Sequence, residues 1–277
     1  IQSIEFISKN ISLSHSFISC SNLQRINIIG NYLSLGNYTF QYCSNLETFS
    51  IHGNEIIIGN YMFNSCNKLK KLEIYEDKET IKTKSNAINS IEIGTNALNK
   101  CQCIENIILF SEIIIIGDHS INECPNLQSI LINAEEVEIG SNAFQYDTNL
   151  QTVSIEGTKN VSINELAFSS CSNLRTVSID SVETSIGKSA FTMCQYLRTI
   201  NIDGEISVIG SKAFQECASL KHISFNGNIG KIDEKAFYLC TKLIKVSILG
   251  DVNLIGDYSF SNCINLVNVS IQGRVKT

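Results

Sequence analysis

Proline is almost missing from this chain: Pro125 is the single one in 277 residues, and it falls in a loop just after Cys124. Histidine is scarce, and His15, His52, His119 and His222 lie too far apart to share metal-ligand spacing. The carboxylates are scattered and no C-x-x-C occurs, so no catalytic residue, metal-ligand set or cofactor is assigned. No apolar run approaches the ~20 residues that a membrane span requires. The richest, from Ile107 to Ile116, is broken by Ser111 and Glu112, so membrane insertion by this segment is not expected. Positive charge is in deficit: 21 Lys and Arg stand against 27 Asp and Glu, net −6, with a pI near 5.3. That balance argues against nucleic acid as the main partner.

What the chain does have is a repeat, which is to be sought before any other motif. Residues 209–225 read I-G-x-x-A-F-x-x-C-x-x-L-x-x-I-x-I, with Phe225 as the last aliphatic's substitute. The Phe position recurs at Phe17, Phe40, Phe63, Leu98, Ile121, Phe144, Phe168, Phe191, Phe214, Phe237 and Phe260. Most steps are 23 residues; Phe63 to Leu98 is 35 because 12 residues are gained between Tyr75 and Ile91. That insertion, around 76–88, opens with the charged and polar run Glu76–Lys84, as a surface loop would. Units that bury their apolar faces only against neighbours make one elongated array. The expectation is a single array over 1–277 of about 11–12 repeats. It starts and stops within the repeat pattern, as a segment of a longer protein would, so missing targeting signals carry little weight.

Each L-x-x-I-x-I alternates like a short strand with its apolar side chains inward. A second aliphatic seven residues on, such as Ile58 or Ile139, follows β-branched neighbours and reads as a shorter strand on the other wall. The x-x-Ala-Phe-x-x-Cys segment is spaced like one or two turns of helix. Glycine marks two corners, and at the column from Gly36 to Gly256 its replacement by Asn164 or Asp233 suggests a left-handed backbone. Ten of the 11 cysteines share one repeat position, with Asp147 as the exception. A column of small buried free thiols is expected rather than disulfides, since stacked parallel side chains rarely offer the bridging dihedral.

The motif I-G-x-x-A-F-x-x-C-x-x-L, for example Ile186 to Leu197, resembles the leucine-rich repeats of the BspA-like family over essentially the full chain. The usual proline after the strand is missing here. The resemblance implies a β-rich leucine-rich repeat solenoid with short helical turns, a parallel sheet on one face and second short parallel strands on the other. It further implies a non-catalytic cell-surface or secreted adhesion module whose partners are host or cell-surface proteins or glycans. An intracellular or envelope protein-interaction scaffold is the alternative, and a homodimer is a further possibility.

Partner recognition is expected on outward strand positions. Polar residues dominate there, but Ile108 and Leu131 break the rule in adjacent repeats, and the next outward column adds Tyr75 and Phe110. Exposed apolar patches usually mark interfaces; burial of this one under the insertion is the competing reading. Arg175, Arg198 and Lys221 form a second constellation in three successive repeats, and like charges at strand spacing repel. Glu156, Asp180 and Asp203 stand at the other end of the same strands, roughly 17 Å away. A solvated face explains both columns; an anionic glycan or acidic protein patch is the sharper reading of the basic one. Four sequons, at Asn10, Asn37, Asn160 and Asn268, are candidate glycosylation sites that chance also explains in so Asn-rich and Ser-rich a chain.

Overall fold

The computed structural model describes residues 1–75 and 89–276. The insertion at 76–88, and with it the expectation that it covers the apolar patch, lies outside the described residues. Every L-x-x-I-x-I forms a strand, because Ile and Val fit a pleated surface that is buried on one side. Twelve such strands stack in parallel register, with Ile26 opposite Phe49, Leu72 opposite Ile107 and Ile200 opposite Ile223. The second strand comes two residues later, as Tyr32–Leu35 follows Arg25–Ile29. In four consecutive coils the two strands fuse, as Ser129–Ile139, Thr152–Ile163, Thr176–Ile186 and Thr199–Ile209. Consecutive exposed residues such as Glu135 and Glu136 break the in-out alternation there and mark the corner between the two walls.

The third wall corrects two sequence expectations. It is not helical: among the described residues there is no α-helix, and the segment is a run of hydrogen-bonded turns. Its left-handed residues are not the glycines. Positive φ falls at two positions per coil, for example Lys212 (59°) and Glu216 (63°), whereas Gly204 is the one positive-φ glycine among the described residues. Left-handed non-glycine backbone costs roughly 1–2 kcal/mol per residue. Hydrogen bonds to the next coil offset it: the N–H groups of Lys212, Phe214 and Glu216 donate to the carbonyls of Glu234, Ala236 and Tyr238 at 3.0, 2.7 and 2.9 Å. A helix would spend those donors within its own coil and leave the array unzipped along this wall.

The glycine columns are there for close approach. A Cβ on Gly59 would lie 2.4 Å from the Gly36 carbonyl carbon, and one on Gly227 2.1 Å from the Gly204 oxygen. At Gly59 and Gly227 backbone meets backbone, which leaves no room for a side chain there.

The interior is built of columns. Phe144, Phe168, Phe191, Phe214, Phe237 and Phe260 stack with centroids 5.0–5.2 Å apart and rings within 6° of parallel. Leu98 and Ile121 separate that ladder from Phe17, Phe40 and Phe63. All 11 cysteines are free. In nine of them the thiol donates to the carbonyl at the Phe position of the preceding coil, as Cys217 does to Phe191 at 3.3 Å. Burial pushes the thiol of Cys43 up to about 11 and that of Cys101 to about 12, so they stay protonated at neutral pH. The asparagine that often precedes the strand also links coils through a carbonyl. Asn173 Nδ2 donates to that of Thr148 at 2.7 Å and Asn265 Nδ2 to that of Thr241 at 2.7 Å.

Candidate interaction surface

With the walls fixed by core columns, the outward strand positions form rows across the coils. One row runs through Ser50, Glu73, Ile108, Leu131, Ser154, Ser178 and Asn201. The adjacent row runs through His52, Tyr75, Phe110, Asn133, Glu156, Asp180 and Asp203. Tyr75, Ile108, Phe110 and Leu131 are therefore neighbours, as the sequence spacing predicts. Their exposure is uneven. Phe110 is 37% exposed, while Tyr75, Ile108 and Leu131 are half-buried.

The patch contains residues that the repeat pattern alone does not single out. His52 packs against Tyr75 with ring centroids 5.5 Å apart. It occupies the same repeat offset as Tyr75 and Phe110, and that offset is the signal that would have found it. The Tyr75 hydroxyl donates to Glu73 Oε1 at 3.2 Å, and Lys71 Nζ sits 2.8 Å from the same oxygen. The hydrogen bond from Lys71 holds the Glu73 carboxyl below its ordinary value. Burial, reinforced by the Glu73 charge, raises the Tyr75 phenol. Ser50 Oγ lies 2.8 Å from His52 Nε2. Among the described residues no hydrogen bond from His52 Nδ1 to a carboxylate occurs.

The charged columns stand where the spacing places them, and they do not meet. Arg175, Arg198 and Lys221 are exposed at the corner that leads into the strand and make no ion pair among the described residues. Glu156, Asp180 and Asp203 face one another across neighbouring strands. Only the ends of that acidic column are tempered: Asn133 Nδ2 donates to Glu156 at 2.7 Å and Asn226 Nδ2 donates to Asp203 at 2.5 Å. Asp180, in the middle, has no hydrogen-bond or ion-pair partner among the described residues. Beside it a hollow of about 470 Å3 is lined by Gly157, Ser181 and Gly204 together with Asn133, Glu156, Thr158, Asp180 and Val182.

The sequon asparagines Asn10, Asn37, Asn160 and Asn268 lie at the surface. The Asn37 side chain is already engaged, since its Oδ1 accepts the N–H of Asn60 at 2.8 Å. Among the described residues no three His, Cys, Asp or Glu side chains group closely enough to hold a metal ion.

Residues 1–90, 86–194 and 161–277 each match the BspA type leucine rich repeat region. The chain belongs to the BspA-type leucine-rich repeat family. This BspA-type array is similar in fold to a leucine-rich repeat protein from Bacteroides ovatus, with a TM-score of 0.52 and 18% identity over 96% of this chain and 86% of that one. A leucine rich cell surface protein from Faecalibacterium prausnitzii aligns with a TM-score of 0.37 and 17% identity, over 99% and 88% of the two chains. The T. pallidum leucine-rich repeat protein TpLRR aligns at 0.46 and 22% identity over 71% and 83%. No curated protein matches the sequence. At 18% identity the likeness to the Bacteroides ovatus protein is one of fold alone, and the surface of the BspA-type array has to be interpreted from its own residues.

Proposed function

We propose that this BspA-type array is a non-catalytic recognition module that binds a partner protein or glycan through its strand face, displayed at the cell surface or secreted. Leucine-rich repeat arrays are protein-interaction scaffolds, which supports the coarser part of this reading. The observation that carries the finer part is the apolar break in a polar face: Ile108 and Leu131 side by side, with Phe110 exposed next to Tyr75. Adhesion and surface display follow the family resemblance, and the cell-surface relative from Faecalibacterium is named in the same sense.

An intracellular scaffold is favoured by one observation, the 11 unbridged thiols. Burial of the column and its hydrogen bonds to carbonyls account for the same thiols in any compartment.

The test is a pull-down from host-cell surface extract with the folded array and with Ile108→Asp/Leu131→Asp. Capture by the parent and loss with the double variant, both folded, is the expected result. Capture unchanged by the double variant would move the site to Arg175, Arg198 and Lys221.

A further inference from the structure

The row that begins at His52 and ends at Asp203 changes character in one direction. Three rings come first, then the amide of Asn133, then three carboxylates. At the ~4.8 Å spacing of neighbouring strands, Phe110 and Asp203 are four steps and roughly 19 Å apart. Among the described residues the acidic half carries uncompensated charge, since Asp180 has no partner there and is flanked by Glu156 and Asp203. Among the described residues no Lys or Arg forms an ion pair with any of the three. Lys159, on the same strand as Glu156, is bound instead to Glu135 at 2.7 Å. The hollow beside Glu156 and Asp180 is lined in part by Gly157 and Gly204, and Val182, which also lines it, is 66% exposed. An apolar wall with a carboxylate rim suits the methylene stem and charged head of a Lys or Arg side chain.

We infer that this row docks an extended segment of a partner protein that carries an aromatic or large aliphatic residue followed by a short basic run. This deepens the strand-face reading above and rests on it. An extended segment advances about 3.3 Å per residue. With its apolar side chain against Phe110 and Tyr75, the cations that meet Asp180 and Asp203 fall about four and six residues further along, on the same face of the segment as the apolar side chain, while Glu156 keeps its bond from Asn133. The spacing of the row therefore sets the spacing of the ligand. A segment with acidic residues at those positions is rejected, because it would put like charges opposite each other. Both parts are required: the rings supply an apolar anchor, and the carboxylates supply selection and salt sensitivity.

The experiment uses four fluorescein-labelled ten-residue peptides against the folded array, read by fluorescence anisotropy. One carries Phe with Lys or Arg at the fourth and sixth positions after it. The second has the same order reversed along the chain, since the row fixes no chain direction. The third replaces each cation by Glu, and the fourth replaces Phe by Ser. We expect binding by the first or second only, at least tenfold weaker in 0.5 M NaCl and at least tenfold weaker to Asp180→Asn/Asp203→Asn at low salt. That variant removes charge from exposed side chains, and circular dichroism checks that its fold is kept. Equal binding of the fourth peptide would reduce the row to a nonspecific acidic surface and overturn the inference, as would binding by none of the four. Binding of the third peptide would overturn it in favour of the basic corner. A concentration-dependent dimer that excludes every peptide would do so in favour of a second copy of this chain. Should the peptides fail while the pull-down still depends on Ile108 and Leu131, the inference falls and the strand-face reading stands.

Discussion

Replacing Asp147 is expected to stabilise the array, and by an amount that grows with pH. Asp147 takes the cysteine position of its coil and is fully buried. Its Oδ1 accepts the N–H of Cys124 at 2.7 Å, while Oδ2 is buried without a partner. Burial raises the carboxyl well above its ordinary value of 3.8, the Cys124 N–H opposes that shift, and the nearby Glu123 charge adds to it. A folded-state value above the unfolded one stabilises below the ordinary carboxylate range, and that stabilisation is lost as pH rises through the folded value. Each pH unit in that window costs about tenfold in the folding equilibrium. The unpartnered oxygen alone costs ~1–3 kcal/mol. In Asp147→Cys the thiol would donate to the Ile121 carbonyl, as Cys171 donates to Phe144 at 3.1 Å one coil later. Asp147→Asn keeps the acceptor, loses the charge and offers a donor. Thermal unfolding followed by circular dichroism at half-unit steps from pH 4 to 8 reads the effect. Both variants should melt higher than the parent at pH 7.5, by about 2–4 °C per kcal/mol, and the gap should close towards pH 4. A gap that does not change with pH, or a parent that melts above both variants at pH 7.5, would refute the reasoning.

Three further outcomes follow from the interior. A thiol reagent should label only Cys20 and Cys103 in the native array, since the other nine cysteines are buried, and all 11 in denaturant; early labelling of Cys101 would contradict its buried, protonated state. Phe191→Ala should cost ~3–5 kcal/mol in urea unfolding, whereas Phe191→Leu should cost under half of that, because Leu98 fills the same place in its own coil. Gly59→Ala should destabilise by ~1–3 kcal/mol, since its Cβ would lie 2.4 and 2.5 Å from backbone atoms of Gly36 and Asn37; an unchanged midpoint would mean that the two coils separate at that corner without loss.

Side-chain columns were legible in the sequence because burial filters side chains directly. A position that faces the core in one coil faces it in all, so Phe214, Cys217 and Leu220 announce their places by repetition. Backbone conformation was not legible in the same way. Lys212 and Glu216 are left-handed with no local preference for it, because hydrogen bonds to the next coil impose the conformation. The glycines misled for a related reason: the space they leave is taken by another coil's backbone, which single-residue propensity does not register. On the surface the spacing placed Ile108 beside Leu131 and Tyr75 beside Phe110, since parallel pairing preserves repeat offsets. It did not disclose the hollow beside Asp180, which is lined by residues of successive coils, among them Gly157 and Gly204.

The nine thiol bonds to the Phe position all run the same way, each from one coil back to the one before it, while the N–H bonds that join coils along the third wall, such as those of Lys212, Phe214 and Glu216, run forward. The regular coils thus carry the same plug on one side and the same socket on the other, and the coil of Asp147, which has no thiol, is the exception. A regular coil inserted between those of Phe110 and Asn133 would re-form both kinds of link and leave the bond from Cys124 to Asp147 in place. It would move the rings away from the carboxylates by one strand spacing, ~4.8 Å. The distance between two recognition elements is thereby a whole number of coils, a ruler that gene duplication can lengthen one division at a time without redesigning either mark.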